Sequence, residues 1–144
     1  MSFIGKIHIY VDGASKGNPG PAGVGVVICE PDGTVLGEFK EFINEGNKTN
    51  QEAEYWALIK GLEKAPDYCT KQVVCFSDSQ LVIKQMNREF RIHKPHLLTL
   101  HKKVRGLEGI FEPGGVKYVQ ISRENHFIKL ADKLSKQAIK ETLE

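Results

Sequence analysis

The sequence predicts a mixed α/β fold, and three observations predict it. Apolar and polar residues alternate in strand-like runs near the N-terminus, a helix-start signal follows at Thr49, and a short β-branched run lies between helical stretches. The 144 residues are 40% hydrophobic and 26% charged, an ordinary globular composition that excludes disorder, collagen and coiled coil. One domain over residues 1–144 is expected, at roughly 100–200 residues per domain.

Lys6 to Val11 alternates Ile7, Ile9 and Val11 with polar neighbours, the pattern of a half-buried strand, and it ends at Asp12. Gly13 to Gly25 holds five glycines and two prolines. Such a stretch either brings backbone N–H groups close to a ligand or simply turns tightly. A phosphate-binding P-loop is excluded, because no Gly-Lys-Ser/Thr follows at the required spacing. Val24–Cys29 and Val35–Phe42 read as strands joined by the hairpin signal Pro31-Asp32-Gly33, so an antiparallel meander is expected.

Thr49-Asn50-Gln51-Glu52 has the form of a capping box, which predicts a helix from Thr49 to about Lys64, closed by Pro66. Ala53, Trp56, Ala57 and Leu62 form its expected buried stripe, with Tyr55 and Ile59 at the edges. Gln72–Phe76 is the continuous run of a strand covered on both faces. Ser77-Asp78-Ser79 supplies caps for a helix through Met86. Pro95–Arg105 predicts a basic helix packing through Leu97, Leu98 and Val104, Glu112–Gly115 a loop, and Val116–Ile121 a last strand. After Arg123-Glu124-Asn125 the chain turns helical, with Ile128, Ala131, Leu134 and Ala138 on one stripe.

The net charge of +2 is unevenly spread. Between Lys84 and Arg105 seven basic residues face one acid, so this window carries +6 and the remainder −4. That split predicts a polyanion-facing element beside an acidic site, the plainer reading being a solvated helix face. Cys29, Cys69 and Cys75 lack metal-ligand spacing, and His93, His96 and His101 fit no ligand motif, so zinc is not expected. The longest uncharged apolar stretch, Gly17 to Cys29, is broken by Gly and Pro and is too short for a membrane helix. Met1 to Phe3 leads into a strand pattern without a leader-like apolar region, and a cytoplasmic location is expected.

Four acids stand out by position: Asp12 ends the first strand, Glu54 opens the first helix, Asp78 follows the fourth strand and Asp132 lies in the last helix. If strands one and four are adjacent and parallel, Asp12 and Asp78 emerge together at the C-terminal edge, where open α/β sheets place their sites. Clustered carboxylates raise one another's pKa unless a cation neutralises them. A hard divalent ion such as Mg²⁺ takes such oxygen ligands, and two of them clamp both oxygens of an in-line phosphodiester displacement. Singly, each acid also reads as a surface residue or a cap, Asp78 as a helix N-cap above all.

Asp12-Gly13-Ala14-Ser15-Lys16-Gly17-Asn18-Pro19-Gly20, Thr49-Asn50-Gln51-Glu52-Ala53-Glu54, Ser77-Asp78-Ser79-Gln80 and Leu130-Ala131-Asp132-Lys133-Leu134, in that order, resemble ribonuclease HI. The resemblance covers nearly the whole chain. It implies the ribonuclease H-like fold, a five-stranded mixed sheet of three antiparallel strands and then two parallel ones, flanked by helices. It also implies cutting of the RNA strand of an RNA/DNA hybrid with two Mg²⁺ ions, or Mn²⁺, leaving 5′-phosphate and 3′-hydroxyl ends; a monomer is the default expectation for so compact a fold. By the same resemblance Asp12, Glu54, Asp78 and Asp132 match the metal-binding acids. Ser15, Gly17, Asn18, Thr49, Asn50, Gln51 and Gln80 match the substrate contacts, with Thr49 expected both to cap its helix and to hold a DNA phosphate. His126 is the candidate for a catalytic histidine that some members carry before the last aspartate, its other reading being a helix-start residue on the surface. The basic, tryptophan-rich handle of some bacterial members is absent, since the only tryptophan is Trp56. Two other readings stay open: a binding module on the same fold without cleavage, and an exonuclease or junction nuclease of that fold.

Overall fold

The computed structural model describes residues 5–143. The expectation drawn from Met1 to Phe3 lies outside them. Five strands form one sheet in the order β3-β2-β1-β4-β5: β1 (Lys6–Ser15), β2 (Gly20–Cys29), β3 (Val35–Lys48), β4 (Gln72–Ser77) and β5 (Val116–Gln120). β1, β2 and β3 pair antiparallel, whereas β4 runs parallel to both β1 and β5. The helices are α1 (Asn50–Lys64), α2 (Gln80–Met86), α3 (Pro95–Glu108) and α4 (His126–Leu143). The fold class is thus as the sequence predicts.

Alternation along β1 decides which helix lies on which face. Ile7, Ile9 and Val11 are buried against α1 in the main core, while Tyr10 joins Val27, Cys29, Ile128 and Ala131 beneath α4. The glycine-rich segment is mostly strand, and the tight turn that is one reading of it is confined to residues 16–19: β1 continues to Ser15 and β2 begins at Gly20. A Cβ on Gly13 would stand 2.1 Å from the Ala53 carbonyl oxygen of α1, and one on Gly25 would stand 2.0 Å from the Ala131 carbonyl oxygen of α4. These glycines let helix backbones touch the sheet from both sides. β3 also outruns its expected end at Phe42, because a bulge opposite Gly20 to Ala22 lets the chain pair again at Lys48.

Burial departs from the simple stripes where a second layer covers a helix. α3 packs on α1, so Tyr55 is fully buried rather than at an edge, its hydroxyl donating to Gln85 Oε1 at 2.6 Å. In α3, Leu100 is buried while Leu98 is 40% exposed. In α4, Ser135 is buried in place of Leu134, because Gly23 admits its backbone to the sheet. All three cysteines are free and buried. No helix among the described residues is long and apolar enough to cross a membrane.

Candidate active site

Parallel pairing of β1 and β4 runs to Tyr10 opposite Phe76, so Asp12 and Asp78 follow it at the same edge of the sheet. Asp12 is 6% exposed, and its strand position turns it towards α4. Asp78 owes nothing to capping: Ser79 is the N-cap of α2, its Oγ accepting from the Val82 N–H at 3.3 Å. Glu54 arrives because Gly13 has no side chain. With α1 pressed onto that glycine, the Gly13 N–H donates to Glu54 Oε1 at 2.6 Å. One carboxylate oxygen from each of Asp12, Glu54 and Asp78 lies within 4.8 Å of the others. Asp132 lines the same cleft of about 240 Å³ from α4, outside that close trio, and its Oδ2 accepts from Lys136 Nζ at 3.0 Å.

Burial, and then the neighbouring Glu54, push the Asp12 carboxyl up to about 10. Burial likewise pushes Glu54 up to about 8, against the pull of the Gly13 N–H and with the charge of Asp78 adding to the rise. The protein therefore holds these acids where ionising them all is costly without a cation. Every donor is a carboxylate oxygen and room remains for water, so the residues fit a hard divalent ion.

Three cations that the sequence reading missed, Arg123, Lys129 and Lys136, line the cleft beside the acids. Lys136 was legible as the i+4 partner of Asp132. Lys129 pairs with Glu124 at 3.0 Å. His126 stands on the exposed first turn of α4 and not among the cleft residues. Asn125 caps that turn, its Oδ1 accepting from Phe127 and Ile128 N–H groups at 2.9 and 3.1 Å, so the surface helix-start reading fits His126.

The residues matched to substrate contacts meet next to the acids. The Ser15 hydroxyl is shared between Asn50 Oδ1 at 2.7 Å and the Gly17 carbonyl at 2.6 Å, and the Asn50 N–H donates to Asn18 Oδ1 at 3.0 Å. The β1–β2 turn, with Gly17 at φ +101°, is thereby tied to the start of α1. Thr49 completes a full capping box, accepting from Glu52 N–H while its own N–H donates to Glu52 Oε1. Gln51 lines a second depression with Asn50, Glu54 and Asp78, and Gln80 is exposed at the first turn of α2.

The basic window does not act as one surface. Arg105 turns inward, donating to the Met86 carbonyl and to Glu108, and lies over the Tyr118 ring. Lys103 lies 4.8 Å from the centre of the Trp56 ring. Arg88, Arg91, Lys94 and Lys102 remain exposed, and Lys84 sits over Phe90, itself 44% exposed, in the α2–α3 connection.

Residues 10–138 match the family described as reverse transcriptase-like. The chain is 37% identical, over 94% of its length, to ribonuclease HI of Halobacterium salinarum, and it spans 65% of that relative. It spans 35% of the mycobacterial proteins that it matches at 38% identity. The crystal structure of RNase H1 from Halobacterium salinarum superposes with a TM-score of 0.86 at 36% identity, covering 95% of this chain and 99% of that one. An LC11-RNase H1 in complex with an RNA/DNA hybrid gives 0.86 at 35% identity, covering 96% and 99%. The chain belongs to the ribonuclease H family.

Proposed function

We propose that the protein is an endoribonuclease that hydrolyses the RNA strand of RNA/DNA hybrids, leaving 5′-phosphate and 3′-hydroxyl ends. The observation that carries this reading is the carboxylate trio within 4.8 Å, with Asp132 on the wall of the same cleft. The relative solved with an RNA/DNA hybrid supports the substrate. Two Mg²⁺ ions, or Mn²⁺, held by Asp12, Glu54, Asp78 and Asp132 would supply an acidified water and neutralise charge on the leaving oxygen.

The remaining roles belong to the chain. Asn50 spends its Oδ1 on Ser15 and its N–H on Asn18, which leaves the side-chain amide donors for a substrate edge. Uncharged groups of this kind, with Gln51 and Gln80 nearby, read a minor groove and its 2′-hydroxyls without sequence preference. Gly17 brings backbone close to the ligand, and Thr49 adds a phosphate contact to its capping role. Lys136 and Arg123, which line the cleft, would offer positive charge to the scissile phosphate. His126, on the exposed turn, assists proton movement only if the hybrid draws that turn inward. We further propose one domain over residues 1–144, acting as a monomer in the cytoplasm.

Asp12→Asn should lower Mg²⁺-dependent cleavage of an end-labelled hybrid by about 1000-fold or more while leaving hybrid binding intact. RNA/RNA and DNA/DNA duplexes should resist the unmodified protein, and end-blocked hybrids should still be cut. Full activity in Asp12→Asn would overturn the assignment.

A further inference from the structure

A second groove adjoins the carboxylate cleft. It lies between the end of β1 and the C-terminal half of α4, with Lys16, Lys136 and Lys140 around an apolar floor that includes Ile139 and Leu143. Lys136 lines this groove and the acid cleft alike, so the two are continuous. Lys16 and Lys140 are exposed, and the backbone of Lys16 is fixed by its N–H donating to the Pro21 carbonyl at 2.8 Å. The carboxylate beside Lys140 in sequence, Glu141, is drawn away to Lys40 of β3 at 2.7 Å. The groove therefore carries positive charge with no carboxylate among its lining residues, Lys136 alone reaching back to Asp132 of the cleft.

Spacing matches the charge. Lys136 and Lys140 stand one helical turn apart, about 6 Å along the axis. A nucleic-acid strand carries one phosphate per nucleotide, so two lysines on one helix face can meet successive phosphates of one backbone. The apolar floor suits ribose and base faces, which a chain of carboxylates does not offer.

We propose that Lys16, Lys136 and Lys140 form a phosphate track along which the cleaved strand's backbone leaves the acid cleft, an inference that rests on the nuclease reading above. Lys136 marks the junction, and Lys16 and Lys140 hold the phosphates beyond it. Their contribution is to affinity and strand direction.

The test is the salt dependence of hybrid binding, read by fluorescence anisotropy in EDTA so that no cleavage intervenes. Lys16→Gln/Lys140→Gln should flatten the slope of log affinity against log salt by about 1.8, and weaken binding about tenfold or more at 0.1 M salt. Lys16→Arg/Lys140→Arg should keep the original slope. The charge-matched control Lys71→Gln/Lys117→Gln, at exposed sites away from the groove, should change neither quantity by more than about twofold. An unchanged slope in the first variant, an equal change in the control, or equally tight capture of poly-glutamate would overturn the track. If the unmodified protein cuts hybrid while Lys16→Gln/Lys140→Gln leaves the slope unchanged, the track falls and the nuclease reading stands; if it binds hybrid but never cuts it in Mg²⁺ or Mn²⁺, the nuclease reading falls and takes the path of a cleaved strand with it. If it binds no hybrid, both fall.

Discussion

The acid cleft and the basic α2–α3 side of the molecule are built in opposite ways. Around Asp12 and Glu54, positions without side chains set the geometry: Gly13 admits α1 and Gly25 admits α4, each at a distance no Cβ permits. On the basic side, exposed side chains extend from a connection that includes Arg88 at φ +63°, with Lys84 over Phe90 as one of its ordering contacts. Positioning of reacting groups is thus a matter of backbone contact, and attraction of a polyanion is a matter of free charge. A cleft of the first kind tolerates almost no change, whereas a surface of the second kind degrades gradually.

The sharpest way to break that contrast is at Gly13. Gly13→Ala forces a methyl against the Ala53 carbonyl and should cost about 3 kcal/mol, read as a lower urea midpoint at unchanged slope, with cleavage falling further than stability explains. A midpoint equal to that of the unmodified protein would show the close approach to be incidental. The next effect is electrostatic. Because Asp12 and Glu54 are raised on folding, the native state holds protons that the unfolded chain has released. Stability in EDTA should therefore fall as pH rises from about 4 through about 8, levelling near 10. Mg²⁺ should stabilise more at pH 9 than at pH 6, since binding displaces those protons. A thermal-shift series with the reverse trend would remove the charge-strained cleft from the comparison.

Smaller effects sharpen the other side. Tyr55→Phe leaves Gln85 Oε1 without its buried donor and should cost about 1–2 kcal/mol by urea unfolding. Gln85 Nε2 also donates to the Arg91 carbonyl, so amide exchange in the α2–α3 connection should quicken in that variant. Lys94→Gln should weaken hybrid binding only a few-fold and reduce the salt slope by about 0.9 at most.

The sequence carried the element order and the four acids because periodicity, caps and motif spacing are local properties. What it misjudged depended on contacts between distant segments. Gly13, Gly23 and Gly25 read along the chain only as part of a segment that approaches a ligand or turns tightly, and the packed helices show that they are contact points. Tyr55 read as an edge residue until α3 covered it, and Arg105 read as a surface base until the Met86 carbonyl and Glu108 drew it inward. Arg123 and Lys129 gave no local signal at all, since their place beside Asp12 follows from where β5 hands the chain to α4.

The last paired residues of β1 and β4, Tyr10 and Phe76, stack face to face at 4.8 Å, and Phe127 of α4 leans on Tyr10 at the same distance. Those three rings work as a mechanical stop. A slip of one position would shift the strands by about 3.3 Å and invert which side of the sheet each following residue addresses. The ladder itself sets the lateral spacing of the two strand ends, about 4.8 Å, and the rings hold its register, so a variant that thins the stack would loosen the alignment of Asp12 with Asp78 rather than the distance between their strands.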